Sequence, residues 1–173
     1  MSTLTIRAAK PKDVRAIDAL VEPLVARRIL LGKDRVVLYE GIQEFLVAER
    51  NGEVVGCGAL HVMWEDLAEV RTLAVSRGEV GRGVGHALLE ALLDRARELE
   101  LERVFCLTFE TEFFTRHGFV EMGETGVDAE VYMELLRSPD DGVAEFLDLA
   151  RVKPNTLGNT RMIHYLDGAG PSA

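Results

Sequence analysis

Gly78, Gly81, Gly83 and Gly85 put four glycines into eight residues, between the apolar run Leu73-Ala74-Val75 and a helically spaced run that opens at Val84. Such a density of glycine lowers stability unless the backbone must bend tightly or a ligand must come close. At the start of a helix it leaves several amide N–H groups unpaired at the positive end of the dipole, a place suited to a diphosphate. The same glycines could also do no more than shape a strand-to-helix turn. Two well-known phosphate loops are excluded. No Gly-Lys-Ser/Thr follows, and the preceding strand comes after an antiparallel meander with no acidic residue at the distance a dinucleotide fold requires.

Other side chains suggest proton transfer and anion recognition. Glu69 and Arg71 lie two apart on an apparent strand, so they share a face if no bulge intervenes. As an exposed pair they would contribute at most about 1 kcal/mol; as a site they would offer a base and a cation. Lys33 is one of only four lysines, with Lys10, Lys12 and Lys153, against sixteen arginines. Thr108 ends an apolar run and has a hydroxyl to donate. Glu110 reads as the cap of a short helix, and Glu112 is open between capping and lining a pocket. Cys57 and Cys106 sit in apolar runs, too far apart for a zinc knuckle. His61, His86, His117 and His164 show no ligand spacing, so no metal is expected.

The elements that must position these groups follow from periodicity. Thr3 to Arg7 reads as a strand, and Pro11 opens a helix that carries Val14, Ile17, Leu20, Val21, Leu24 and Val25 and fades near Leu31-Gly32. A charged loop, 33–35, leads to a helical piece over 36–42. Strands over 44–49 and 54–62 flank Asn51-Gly52, a hairpin signal, and a third over 67–75 completes a meander. Val84 to Leu99 is an amphipathic helix, Arg103 to Thr108 a buried strand, and Glu110 to His117 a short helix stopped by Gly118. Ala129 to Arg137 reads as helix, Ser138 to Gly142 as a turn, and Arg161 to Leu166 as a last strand.

The chain has 173 residues, 47% hydrophobic and 28% charged, which fits a single domain over 1–167 with a frayed tail at 168–173. A net charge of −9 argues against nucleic acid as partner. No stretch suggests a signal peptide or a membrane span, and two cysteines suit a reducing compartment, so a cytoplasmic protein is expected.

Glu69-Val70-Arg71-Thr72-Leu73-Ala74-Val75, followed by Gly81-Arg82-Gly83-Val84-Gly85, resembles the acetyl-CoA signature of the GNAT N-acetyltransferases. Phe113-Phe114-Thr115-Arg116-His117-Gly118-Phe119 resembles their second landmark, and the likeness spans roughly Thr3 to Glu121. It implies an α/β (α+β) GNAT fold, a mixed and mostly antiparallel central sheet flanked by helices, with acetyl-CoA as co-substrate. By the same resemblance the coenzyme is bound by Leu73, Ala74, Val75, Val80, Gly81, Arg82, Gly83, Val84, Gly85, His86 and Phe114. Val80 stands where the family usually has Gln or Arg, a role served largely by a backbone amide. Phe114 replaces a frequent tyrosine acid, so the thiolate, with a pKa near the 8.5 of a free thiol, would leave without that donor.

A narrower resemblance is to the short bacterial amino-acid N-acetyltransferases of the N-acetylglutamate synthase type. It rests on Ile29 to Lys33, Val55 to His61, Arg71-Thr72, Phe105 to Phe114 and Val152 to Asn159. It implies direct acetylation of the α-amine of L-glutamate, the first step of arginine biosynthesis, in a homodimer. Lys33 would meet the side-chain carboxylate of the substrate, which needs a cation in so acidic a protein. Glu69 would be the base through a water, Arg71 and Thr72 would hold the amino-acid end, and Thr108 would donate to the thiolate or the oxyanion. Leu107, Asn159 and Thr160 are the remaining substrate contacts, while Gly158 replaces an arginine usual in that stretch. Glutamine or another small amine is the alternative substrate, and a non-catalytic acetyl-CoA sensor the alternative function.

Overall fold

In the computed structural model, residues 2–152 and 158–168 are described. Seven strands form one sheet in the order β1-β2-β3-β4-β5-β7-β6: β1 (Leu4–Ala8), β2 (Phe45–Arg50), β3 (Glu53–Trp64), β4 (Leu67–Val75), β5 (Arg103–Thr108), β6 (Val120–Glu121) and β7 (Thr160–Tyr165). β1 with β2, β2 with β3, β5 with β7 and β6 with β7 run antiparallel, and β4 with β5 runs parallel. The mixed α/β sheet expected of the GNAT fold is present. The chain divides into two compact units, one of residues 1–61 and 70–98, the other of 62–69 and 99–173.

In the first unit, Asn51 and Gly52 both take positive φ, 54° and 81°, and close the β2–β3 hairpin as a two-residue turn whose twist suits the strands. Helix α1 (Val14–Ala26) buries Val14, Ile17 and Val21, the stripe read from the sequence. It stops before the expected Leu31-Gly32, however. Arg28 turns left-handed at φ 58°, its N–H donates to the Val25 carbonyl at 2.9 Å, and the Ile29 N–H reaches back to the Leu24 carbonyl at 2.8 Å. This pair of bonds is a Schellman cap, here built on arginine instead of the usual glycine. Helix α2 (Arg35–Glu40) follows.

Helix α3 (Val84–Glu98) lies directly on β3. A Cβ at Gly56 would come within 2.9 Å of Leu88 and Val84, and one at Gly58 within 2.9 Å of Leu92. These two strand glycines therefore set how closely the helix approaches, and with it the place of the helix N-terminus.

The second unit packs Leu67, Phe105, Met122, Leu135, Val143, Phe146 and Ile163 into one core, with Phe105 and Phe146 edge to face at 5.5 Å. It holds α4 (Thr111–Arg116) and α5 (Ala129–Leu135), the latter two residues shorter than expected. A sixth helix, α6 (Asp141–Phe146), begins inside the expected turn. Asp140 caps it by accepting the Val143 N–H at 3.0 Å, and burial of Val143, Ala144 and Phe146 overrides the turn-rich composition. Gly168 closes a short 3-10 turn begun at Leu166, and the remainder of the expected frayed tail, 169–173, lies outside the described residues. Among the described residues no helix is long and apolar enough to cross a membrane.

Candidate active site

The glycine turn belongs to the first unit and is tied to the sheet where it leaves β4, by the Ser76 N–H on the Val55 carbonyl at 2.9 Å. A 3-10 turn, Arg77–Glu79, follows. Gly81 and Gly83 take φ of 79° and 81°, which only glycine adopts without strain, and added Cβ atoms there would meet nothing within 4 Å. The space over them is open. The first bond of α3 runs from the Ala87 N–H to the Gly83 carbonyl at 3.0 Å, so the amides of Val84, Gly85 and His86 precede any intrahelical acceptor. The Val80 side chain points out, 69% exposed, and only its backbone contributes to the turn. This arrangement presents main-chain donors and a helix dipole to an anion. Just upstream, Ala74 is buried and Leu73 and Val75 are half-buried on the strand that feeds the turn.

The same strand carries a strained residue. Thr72, buried and β-branched, has φ 57°. That conformation costs a β-branched residue on the order of 1–3 kcal/mol and persists only where the surroundings enforce it. The Cys57 thiol donates to the Thr72 carbonyl at 3.5 Å. Thr72 also lines a cleft of about 130 Å³, close to the roughly 150 Å³ that holds a benzene-sized guest. The wall opposite in sequence comes from α1, where Asp18, Val21, Glu22 and Val25 fall on one helical face, and from Leu31, Gly32, Lys33 and Leu38. Lys33 is half-buried and makes no ion pair among the described residues, while Asp18 is engaged by Arg35 at 2.9 Å. The cleft thus joins Lys33 and Thr72, two of the sequence-derived substrate residues. Asp18 and Glu22 were not singled out in the sequence; their spacing of four with Val21 and Val25 was the available signal.

The second unit holds Glu69, Thr108, Asn159 and Thr160, while Arg71 belongs to the first. Glu69 is buried on β4, opposite Phe105 of β5. Its carboxylate, added to the larger effect of burial, pushes the Cys106 thiol well above its usual range. Thr108 and Thr160 are register partners across β5 and β7, as are Leu107 and Arg161. Buried Thr108 accepts the Glu110 N–H on Oγ1 at 2.8 Å, which occupies a lone pair and leaves the hydroxyl proton to be donated. That bond replaces the cap expected of Glu110, whose own side chain makes none. The Asn159 Oδ1 is buried with no hydrogen-bond partner among the described residues. Gly158 has φ 93° with Phe109 3.2 Å from a would-be Cβ, so an arginine there would be strained. Phe114 is buried, edge to face with Phe113 and Phe119 at 5.2 and 5.1 Å, and has no hydroxyl to offer. Of the Val152 to Asn159 landmark, residues 153–157 lie outside the described residues. Arg71 is half-buried on β4, one residue before the strained Thr72.

Comparison with known proteins gives a consistent outcome. Residues 24–119 match the model of the acetyltransferase (GNAT) family. The chain is 58% identical over 161 residues to an amino-acid acetyltransferase of Mycobacterium tuberculosis, covering 91% of this chain and 92% of that one. A Mycobacterium tuberculosis protein solved in complex with CoA and NLQ superposes with a TM-score of 0.90 at 57% identity, over 94% of this chain and 99% of that chain. The N-acetylglutamate synthase of Neisseria gonorrhoeae, complexed with coenzyme A and N-acetyl-glutamate, gives 0.76 at 28% identity. There the match covers 96% of this chain but only 36% of the longer protein.

Proposed function

The chain belongs to the GNAT acetyltransferase family, and from that premise we propose that it transfers acetyl from acetyl-CoA directly to the α-amine of L-glutamate, the first step of arginine biosynthesis. One observation carries the reading. A single stretch of the first unit, Thr72 to Gly85, runs from a cleft holding half-buried Lys33 to a turn that presents main-chain amides to an anion. Relatives whose names and complexes involve amino acids and CoA support it.

In this reading the coenzyme diphosphate rests on main-chain amides within the 80–86 turn, and Lys33 meets the side-chain carboxylate of the substrate. The α-ammonium must lose a proton before its nitrogen can attack the thioester carbon, and Glu69 takes that proton through a water. The tetrahedral adduct gives up the second proton of its nitrogen to solvent and expels the CoA thiolate, to which Thr108 donates a hydrogen bond; Phe114 supplies no proton. Arg71, Thr72, Leu107, Asn159 and Thr160 hold the amino acid. Transfer is direct because burial pushes the Cys57 thiol up to about 12 and raises the Cys106 thiol too, leaving neither as a thiolate nucleophile. The proposal extends to a cytoplasmic homodimer in which residues 1–167 act as one catalytic domain. The carboxylates of Asp18 and Glu22 on the Lys33 cleft favour an uncharged amide as the second reading, with glutamine as substrate.

A thiol-release assay with acetyl-CoA across the amino acids, on wild type and Lys33→Gln, tests both. Glutamate should show the highest kcat/KM. Lys33→Gln should lower it roughly 10- to 100-fold, as loss of a charge-assisted hydrogen bond of about 1.5–3 kcal/mol implies, while hardly changing glutamine. Faster turnover of glutamine by the wild type would select the second reading; no thiol release with any amine would remove both.

A further inference from the structure

We propose that Glu79 is a positioning residue for the coenzyme-binding turn, clamping it to the end of β2 so that its amides are aligned before the diphosphate arrives. This rests on the coenzyme reading above. Glu79 ends the 3-10 turn two residues before Gly81. Its Oε2 accepts from Arg50 Nε at 3.1 Å and its Oε1 from Arg82 Nη1 at 2.9 Å. Arg50 also donates to the Ser2 carbonyl at 3.0 Å, which fixes its guanidinium to the chain beside β1. The backbone repeats the link, since the Arg82 N–H donates to the Glu79 carbonyl at 3.2 Å and the Glu79 N–H to the Ser76 carbonyl at 2.9 Å. The Glu79 and Arg50 side chains are only 11% and 13% exposed, whereas Arg82 is 54% exposed. The carboxylate is therefore anchored on its buried side and tethers the exposed side.

A carboxylate has the wrong charge for an anion-binding turn. Its presence there makes sense if placement outweighs repulsion, because two arginines and one glutamate still leave a net charge of +1 next to Gly81. These two effects act in opposite directions when the charge is removed. Glu79→Gln raises the local charge to +2, and long-range electrostatics alone would then tighten the coenzyme. Loss of the clamp loosens the turn and weakens it.

The test is calorimetric titration of the full chain with CoA, together with steady-state kinetics. For Glu79→Gln we expect Kd for CoA and KM for acetyl-CoA to rise about 10-fold, equivalent to about 1.4 kcal/mol, with kcat at saturation and KM for the amino acid held. Use of S-acetylpantetheine, a thioester donor without the diphosphate, should be unchanged, a result that general damage to the protein would not give. Glu79→Asp, which keeps the charge but is a methylene too short to span both arginines, should weaken CoA in the same sense and serves if the Gln variant does not fold. Unchanged or tighter CoA binding in either folded variant, or a parallel loss with S-acetylpantetheine, overturns the clamp. If the wild type itself does not bind CoA, the coenzyme reading falls first.

Discussion

Replacing Thr72 by glycine separates strain from packing at the cleft. In the left-handed region a β-branched residue holds on the order of 1–3 kcal/mol of backbone strain, which glycine removes. Against this, glycine within a strand costs about 0.5–1 kcal/mol in backbone entropy, and the lost Thr72 methyl group, buried in the native state, about 0.8 kcal/mol. The terms partly offset, so Thr72→Gly should lie between about 0.8 kcal/mol less stable and about 1.7 kcal/mol more stable than the wild type. Val70→Gly is the control, because Val70 lies on the same strand, is 3% exposed and is not among the residues with positive φ. It loses a full buried side chain and gains only entropy cost, for a destabilisation of about 3 kcal/mol. Urea unfolding of both variants measures the difference, and thiol release measures function. Thr72→Gly should fold normally yet lose about 10-fold in kcat/KM, because the enforced backbone at the cleft wall is released. If the glycine variant is as unstable as Val70→Gly, the strain is not there. If it is fully active, the conformation has no part in the site.

Three further expectations concern buried groups of the two units. Asp13 receives both Arg7 Nη1 and Nη2, at 2.8 and 3.0 Å, and the Lys10 N–H at 2.8 Å. The Arg7 guanidinium chiefly holds its carboxyl below the usual range, so its contribution is complete above about pH 4 and is lost as pH falls below that value. Asp13→Asn should cost about 2 kcal/mol at pH 7, less than a fully buried pair because Arg7 is a quarter exposed, and should flatten the acid limb of the stability curve; an unaltered acid limb refutes this. Burial puts the Cys57 thiol at about 12. Above about pH 8.5 the unfolded chain releases this proton and the folded chain keeps it, so stability should fall by about 1.4 kcal/mol per pH unit from that group. Correspondingly, Cys57 and Cys106 should resist a thiol reagent at pH 8 until the protein is denatured, and rapid labelling of the native chain would contradict the assignment.

What the sequence revealed, and what it concealed, follows from how local each signal is. Asn51-Gly52, the stripe Val84 to Ala96 and the run Arg103 to Thr108 are decided by neighbours a few residues away, and they stand where periodicity puts them. The end of α1 escapes periodicity because Leu30 and Leu31 continue the apolar pattern, while the cap depends on one left-handed arginine. Helix α6 was hidden by Pro139, Asp140, Asp141 and Gly142, and burial of Phe146 against distant Phe105 decides it. At the site, the glycine turn and Lys33 were readable from residue type. The strain at Thr72 was not, since threonine on a strand gives no warning of positive φ. Nor was the Arg50–Glu79–Arg82 contact, which joins residues up to 32 apart in ways no pattern specifies.

In the proposed reading, a binding surface made of main chain is indifferent to a side chain that points away from it. Where Val80 faces solvent and Gly81 and Gly83 hold the bend, the constraint falls on torsion angles and on the presence of N–H groups. Proline at position 80 would delete a donor, and any Cβ at 81 or 83 would meet the torsion penalty, but most other residues at 80 leave the surface chemically the same. Position 80 can therefore drift while the proposed ligand of the turn stays fixed, whereas in the lysine-bearing cleft, lined by side chains, substitutions would alter which guest fits. If the two are the halves of the proposed activity, they are free to evolve at different speeds.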